Sequence, residues 1–183
     1  VSQVGQLSNA ELAERARGRR ALVIVNNKRQ ARALYDLLRD DGALHLSTNM
    51  TAEHRRDVLA QVREEPQVPL IATALVEAGV DLDFPEVWRA VAGLDSIVQA
   101  AGRCNRNGRM EGKGQVYVFE PEDGFAPPPE LQRNADVAAN VLRQHPDPLR
   151  PEAIRAYFRE LYWDRSADLD ANGIMTMTGP KAG

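Results

Sequence analysis

The sequence predicts an α/β protein in three layers, a parallel β-sheet between two layers of helices. Three observations carry this. Ala21-Leu-Val-Ile-Val is an apolar run without alternation, as expected of a strand buried on both faces. Short runs of this kind alternate with amphipathic helical segments, the order that crossover connections build into a parallel sheet. Hydrophobic residues make up 43% of the 183 residues, which fits one domain with a substantial core.

Each element has its own local reason. Ser8 with Glu11 forms a capping box and starts a helix that runs to about Arg17. Ala21–Val25 is the first strand. Asn26 or Asn27 caps the next helix, whose Ala31, Leu34, Leu37 and Leu38 recur at helical spacing, and Gly42 closes it. Ala43–Leu46 is a short second strand. Thr51 caps a helix with Val58, Leu59 and Val62 inward, and Pro66 ends it. Leu70–Ala72 is a third strand ending at Thr73, Val87–Val91 a fourth and Gln115–Phe119 a fifth. Asp95 is expected to cap the helix between the last two. Residues 1–120 thus form the α/β unit. The acidic, proline-rich stretch 121–129 reads as a linker loop. An appendage over 130–172 holds two helices, about Pro129–Gln144 and Pro151–Trp163, the second striped with Ile154, Phe158, Leu161 and Tyr162. The tail 173–183 is small and polar and is expected to be disordered.

Composition narrows the function classes. The net charge is −3 and the pI about 5.7, so any basic surface for nucleic acid is local, or the grip is shared with another unit. One cysteine excludes an internal disulfide and fits a reducing, cytoplasmic setting. No apolar run approaches the ~20 residues of a membrane span, and no secretory signal pattern is present. His45, His54 and His145 lack metal-ligand spacing. Asp168-Leu-Asp-Ala-Asn-Gly opens like a calcium loop, but Gly179 stands where a bidentate Glu is required. The chain begins at Val1 and is expected to be a monomeric piece of a longer protein.

The densest chemistry lies at Gln99-Ala-Ala-Gly-Arg-Cys-Asn-Arg, which fits Q-x-x-G-R-x-x-R. On a helix at about 100° per residue, Gln99, Arg103 and Arg106 fall on one stripe, with Leu94, Ile97, Ala101 and Cys104 nearly opposite. Two guanidinium forks beside a neutral amide suit a polyphosphate and can stabilise charge on a transferring phosphoryl group. The competing reading is a solvated polar helix face. Upstream, Leu70–Ala72 ends at Thr73, and the chain then turns through Gly79 to Asp81. Gly79 would let backbone approach a phosphate closely, and Asp81 could accept hydrogen bonds from a ribose.

Together these segments resemble the second RecA-like lobe of superfamily 2 helicases. Ala78-Gly-Val-Asp-Leu-Asp-Phe-Pro, Ala92-Gly-Leu-Asp-Ser-Ile and Gln99-Ala-Ala-Gly-Arg-Cys-Asn-Arg-Asn-Gly-Arg are similar, more closely, to the CRISPR-associated helicase–nucleases of type I systems. Asn105, between the two arginines, separates that family from most superfamily 2 helicases; Ala74 departs from it, standing where the family usually has Gln. The resemblance implies a P-loop NTPase-like lobe that completes a site for ATP and Mg²⁺ held mainly by a first lobe. Here Arg103, Arg106 and Gln99 would be catalytic, and Gly79, Asp81 and Gly102 would touch ATP. Ser47, Thr48 and Thr73 would meet phosphates of single-stranded DNA. The implied partners are an N-terminal nuclease and first helicase lobe, single-stranded DNA, and a guide-RNA surveillance complex.

No G-x-x-x-x-G-K-[ST] phosphate loop, acidic Mg²⁺ box or His-Asp nuclease cluster occurs, so the chain alone is expected to be inactive. Two alternatives stand beside this one. The first is a lobe of another superfamily 2 DNA helicase, such as a repair translocase. The second is a non-catalytic partner-binding module, which an exposed Phe158 and Tyr162 would favour. The cluster Arg15, Arg17, Arg19 and Arg20 reads as solvated surface.

Overall fold

A computed structural model describes residues 1–47, 49–65, 67–73, 82–106, 108 and 114–163. In chain order the elements are β1 Ser2–Leu7, α1 Asn9–Ala16, β2 Ala21–Val25, α2 Lys28–Leu38, β3 Leu44–Leu46, α3 Ala52–Glu64 and β4 Leu70–Thr73. Then come β5 Glu86–Ala90, α4 Leu94–Ala101, β6 Gln115–Pro121, α5 Pro129–Gln144 and α6 Pro151–Trp163. The strands form one six-stranded sheet in the order β1-β6-β5-β2-β4-β3, and every neighbouring pair among the described residues is parallel.

The three layers follow from strand alternation. Val23 and Val25 of β2, with Ile71, Trp88, Ala90 and Phe119, pack under Leu12 of α1 and Leu34 and Leu38 of α2. Leu22 and Ile24 face the other way, where Leu70, Ala72, Val87 and Val116 meet Val58 and Val62 of α3 and Ala100 of α4. β2 is buried along its whole length, as its apolar run requires. The last two helices extend the α4 side. Leu94, Ile97 and Val118 pack against Val137, Ala138 and Val141 of α5 and Ala153, Tyr157 and Leu161 of α6.

The local caps form as expected. Glu11 N donates to Ser8 Oγ while Ser8 N donates to Glu11 Oε2, closing the box at α1. Asn27, not Asn26, caps α2, and Thr51 caps α3. Three expectations are corrected. β1 carries no hydrophobic signal, because five of its six positions are exposed or half-buried. Its strand state comes from pairing with β6 at the sheet edge. Asp95 does not cap α4. The N-cap is Gly93, where a Cβ would stand 2.5 Å from Asp95 Oδ1 and 2.8 Å from the Tyr157 hydroxyl, so only glycine fits without a shift.

The third correction concerns the arginine helix. α4 ends at Ala101, with Gly102 as its C-cap, so Arg103 and Arg106 do not lie on a helical stripe with Gln99. The helix stops because neighbouring backbone captures the chain. Phe84 N donates to Arg103 O and Asn105 N donates to Phe84 O, both at 3.0 Å, a parallel bridge between Phe84 and Cys104.

Candidate functional site

In a parallel sheet all strands point one way, so the candidate residues sort by sheet edge. Ser47 follows β3 and Thr73 ends β4; with Leu46 opposite Ala72, the two stand side by side at the C-terminal edge. The chain leaves β2 toward β3 and leaves β4 toward β5. It leaves β5 toward β6, away from β2. The neighbouring C-terminal ends of β2 and β5, one strand from Thr73, therefore flank the point where connections diverge, the position at which open α/β sheets bind ligands. Ser47 and Thr73 are buried, and the Thr73 hydroxyl has no hydrogen-bond partner among the described residues. The N-terminus of α2 opens at the same edge, and its Lys28 donates to Asn49 Oδ1 at 2.7 Å. Lys28 was not singled out in sequence, since a lone lysine carries no pattern. Thr48 lies outside the described residues.

The edge is stiffened from below. Arg89 of β5 is 1% exposed, and its guanidinium donates to Asn26 Oδ1 at 2.7 Å and Ala90 O at 2.9 Å. The Asn26 amide donates to Val91 O at 2.6 Å, which locks the ends of β2 and β5 together. A charged residue inside a strand gave no sequence signal of this role.

The arginines lie at the opposite edge. Phe84, just before β5, is fully buried, with Arg20 stacked 5.2 Å from its ring centroid. Its backbone holds Arg103 and Asn105, and Asp83 Oδ1 accepts from Arg106 N at 2.8 Å. Arg103 is half-buried, Gln99 and Arg106 are exposed, and Gly102 is exposed at the end of α4. Gly102, Arg103 and Arg106 thus lie on the bend that follows α4, while Gln99 lies in the last turn of the helix itself. Gly79 and Asp81 lie outside the described residues. Thr73 and Asp83 stand at opposite edges of the sheet. The separation is roughly that of β5 itself, five residues or about 16 Å.

Cys104 is packed, not poised. Its thiol lies 3.4 Å from Gln115 O and 3.5 Å from Pro85 O. Burial first, and the Asp83 carboxylate second, push it up to about 11. The arginine cluster at 15–20 is spent internally: Arg17 on Glu14 and Asp41, Arg19 on Glu86, and Arg20 on the carbonyls of Val62, Glu65 and Asp83. Among the described residues, no three His, Cys, Asp or Glu side chains stand together as a metal site. No described helix is long and apolar enough to cross a membrane.

A model of the family described as "CRISPR-associated nuclease/helicase Cas3, C-terminal" matches residues 17–109, just over half of the chain. The chain belongs to this family. Among curated Cas3 proteins, that of Haloferax volcanii is 34% identical over 135 residues, covering 59% of this chain and 14% of its own length. The CRISPR-associated helicase Cas3 of Thermoproteus tenax is 30% identical over 123 residues, covering 64% of this chain and 21% of its own. The chain therefore spans about a fifth or less of these relatives. In fold it is similar to the crystal structure of T. fusca Cas3 with ATP, at TM-score 0.69 and 21% identity over 98% of this chain and 25% of that one. The C-terminal domain of the DEAD-box protein Dbp5 also matches, at TM-score 0.54 and 20% identity over 68% of this chain and 79% of that domain. The fold is thus that of a RecA-like C-terminal lobe, and the chain is a Cas3-family C-terminal helicase lobe.

Proposed function

We propose that this lobe completes the ATP site of a helicase–nuclease that moves along single-stranded DNA and degrades it in CRISPR interference. Arg103 and Arg106 would engage the γ-phosphate of ATP bound by a first lobe. Gln99 would orient them or the attacking water, and Gly79, Asp81 and Gly102 would contact the nucleotide. Mg²⁺ would be held by the first lobe. The fork suits this role because a planar guanidinium meets phosphate oxygens with paired donors, and phosphoryl transfer is catalysed mainly by positioning and charge stabilisation. Ser47, Thr48 and Thr73 would hold DNA phosphates, and the lobe would work beside an N-terminal nuclease and a guide-RNA surveillance complex.

The observation that carries this is the sorting of candidates to two sheet edges. Arginines sit on a clamped bend at one edge; buried hydroxyls, a helix N-terminus and Lys28 sit at the other. Grip and chemistry should therefore separate by mutation in the full-length enzyme. Arg103→Ala or Arg106→Ala should lower ATP turnover by about 10³-fold or more while single-strand binding changes little. Arg→Lys should not rescue, because a point charge cannot reproduce the fork. Thr73→Ala or Ser47→Ala should weaken single-strand binding evenly across sequences, as contacts to phosphates do. Near-normal turnover in Arg103→Ala would sink the arginine assignment; an altered sequence preference in Thr73→Ala would sink the DNA one.

A second role belongs to α6. Phe158 and Tyr162 are 37% and 47% exposed, with rings stacked 5.7 Å apart, beside a cleft lined by Leu94, Val98, Gln99 and Ile154. This exposure supports contact with another part of the same protein next to the Gln99 helix.

A further inference from the structure

We infer that Asp83 and Asn105 are positioning residues that set where the two arginine forks leave the backbone. This rests on the reading of Arg103 and Arg106 as phosphate-binding groups. Asn105 has φ 48°, the one non-glycine residue with positive φ among those described. Most L-residues pay to enter this left-handed region; asparagine is among the few that enter it readily. Here the conformation has a geometric use. After α4 the chain makes two tight turns, with Arg103 N donating to Ala100 O and Cys104 N to Ala101 O. A right-handed residue at 105 would continue that coil. The left-handed one breaks it, so that Asn105 O accepts from Gly108 N at 3.1 Å while Asn105 N keeps its bond to Phe84 O.

Asp83 fixes the other end of the bend. Its Oδ1 accepts from Arg106 N at 2.8 Å, tying the second arginine to the residue before fully buried Phe84. Arg103 is held through its carbonyl to Phe84 N. Both Cα atoms are therefore referenced to the Asp83–Phe84 segment and, through it, to β5. The space is also closed from the side. Gly114, just before β6, packs closely against Cys104 and Asn105, leaving no room there for a Cβ without a shift.

The inference concerns the backbone conformation of Asn105 and the acceptor oxygen of Asp83. That makes the conservative variants decisive. In the full-length enzyme, Asn105→Val and Asp83→Ala should lower kcat for ATP about 10- to 100-fold, the cost of misplacing groups by about an ångström, with KM for ATP nearly unchanged. Asn105→Gly, which enters the left-handed region freely, should restore most of kcat. Asp83→Asn, which keeps a carbonyl oxygen for the Arg106 amide, should do the same. Rescue by Gly and by Asn is the readout that mere loss of folding cannot imitate. If Asn105→Gly is as slow as Asn105→Val, or Asp83→Ala turns over like the unaltered enzyme, the inference is overturned. Arg103→Ala, run alongside, separates the two levels. Its normal turnover overturns the arginine reading itself, and the inference with it; its loss of turnover, with Asn105→Val unaffected, overturns the inference alone.

Discussion

Cys104 stands between the two candidate arginines, and its protonation state decides whether it competes with them for chemistry. A thiolate, not a thiol, is the nucleophile. Burial and Asp83 hold the folded-state value at about 11, above its ordinary 9.0. The neutral thiol is therefore favoured in the fold. That contribution to stability is fully present below about pH 9 and is lost as pH rises from 9 toward 11. Alkylation by iodoacetamide at pH 7.5 should be slow in the native chain and fast in denaturant; fast native alkylation would contradict the packing assigned to this residue. Residue-level chemistry of short range was readable in sequence. Ser8 with Glu11, and Thr51, cap helices because the partners lie within three residues. The left-handed Asn105 was not readable as such. Its conformation answers to Phe84 and Asp83, about twenty positions upstream, and no local pattern reports them.

At the scale of elements, α4 and α6 show where periodicity misleads. Gln99, Arg103 and Arg106 have helical spacing, yet the helix ends at Ala101 because the Phe84 backbone supplies a competing set of hydrogen bonds. α6 has one apolar stripe in sequence but two faces in the fold. Tyr157 and Leu161 are buried against α4 and α5, whereas Phe158 and Tyr162 face outward. Leu37 of α2 likewise has helical spacing and is 46% exposed. Periodicity finds a helix but does not say how wide a face the neighbours cover. The two faces of α6 should separate in melting experiments. Leu161→Ala should cost about 2–5 kcal/mol, as buried truncations do. Phe158→Ala with Tyr162→Ala should stay within about 1 kcal/mol, as exposed changes do, while weakening association with the rest of the protein supplied in trans. A large loss of stability in the outward pair would mean that α6 docks by a different face.

Across the whole molecule, the parallel sheet was legible because β2 and the start of β4 are apolar runs that alternate with amphipathic helices. Strand order was not, since nothing local places β1 beside β6 or β5 beside β2. The parallel direction matters for function, because it sets Thr73, at the end of β4, and Arg106, held just before β5, at opposite edges. The fold also leaves a lobe holding only part of a catalytic site. Three clusters of buried side chains should make the chain melt cooperatively on its own. Yet the sequence has no phosphate loop, and exposed arginines bind ATP weakly where salt screens them. The most direct test is ATP hydrolysis by the purified chain in Mg²⁺ and single-stranded DNA, with folding checked by its melting transition. A cooperatively folded chain without measurable turnover, and with ATP affinity no tighter than about millimolar, is the expected result. Robust turnover by the chain alone, abolished by Arg103→Ala, would contradict the central claim that this lobe supplies only the arginine half of the site.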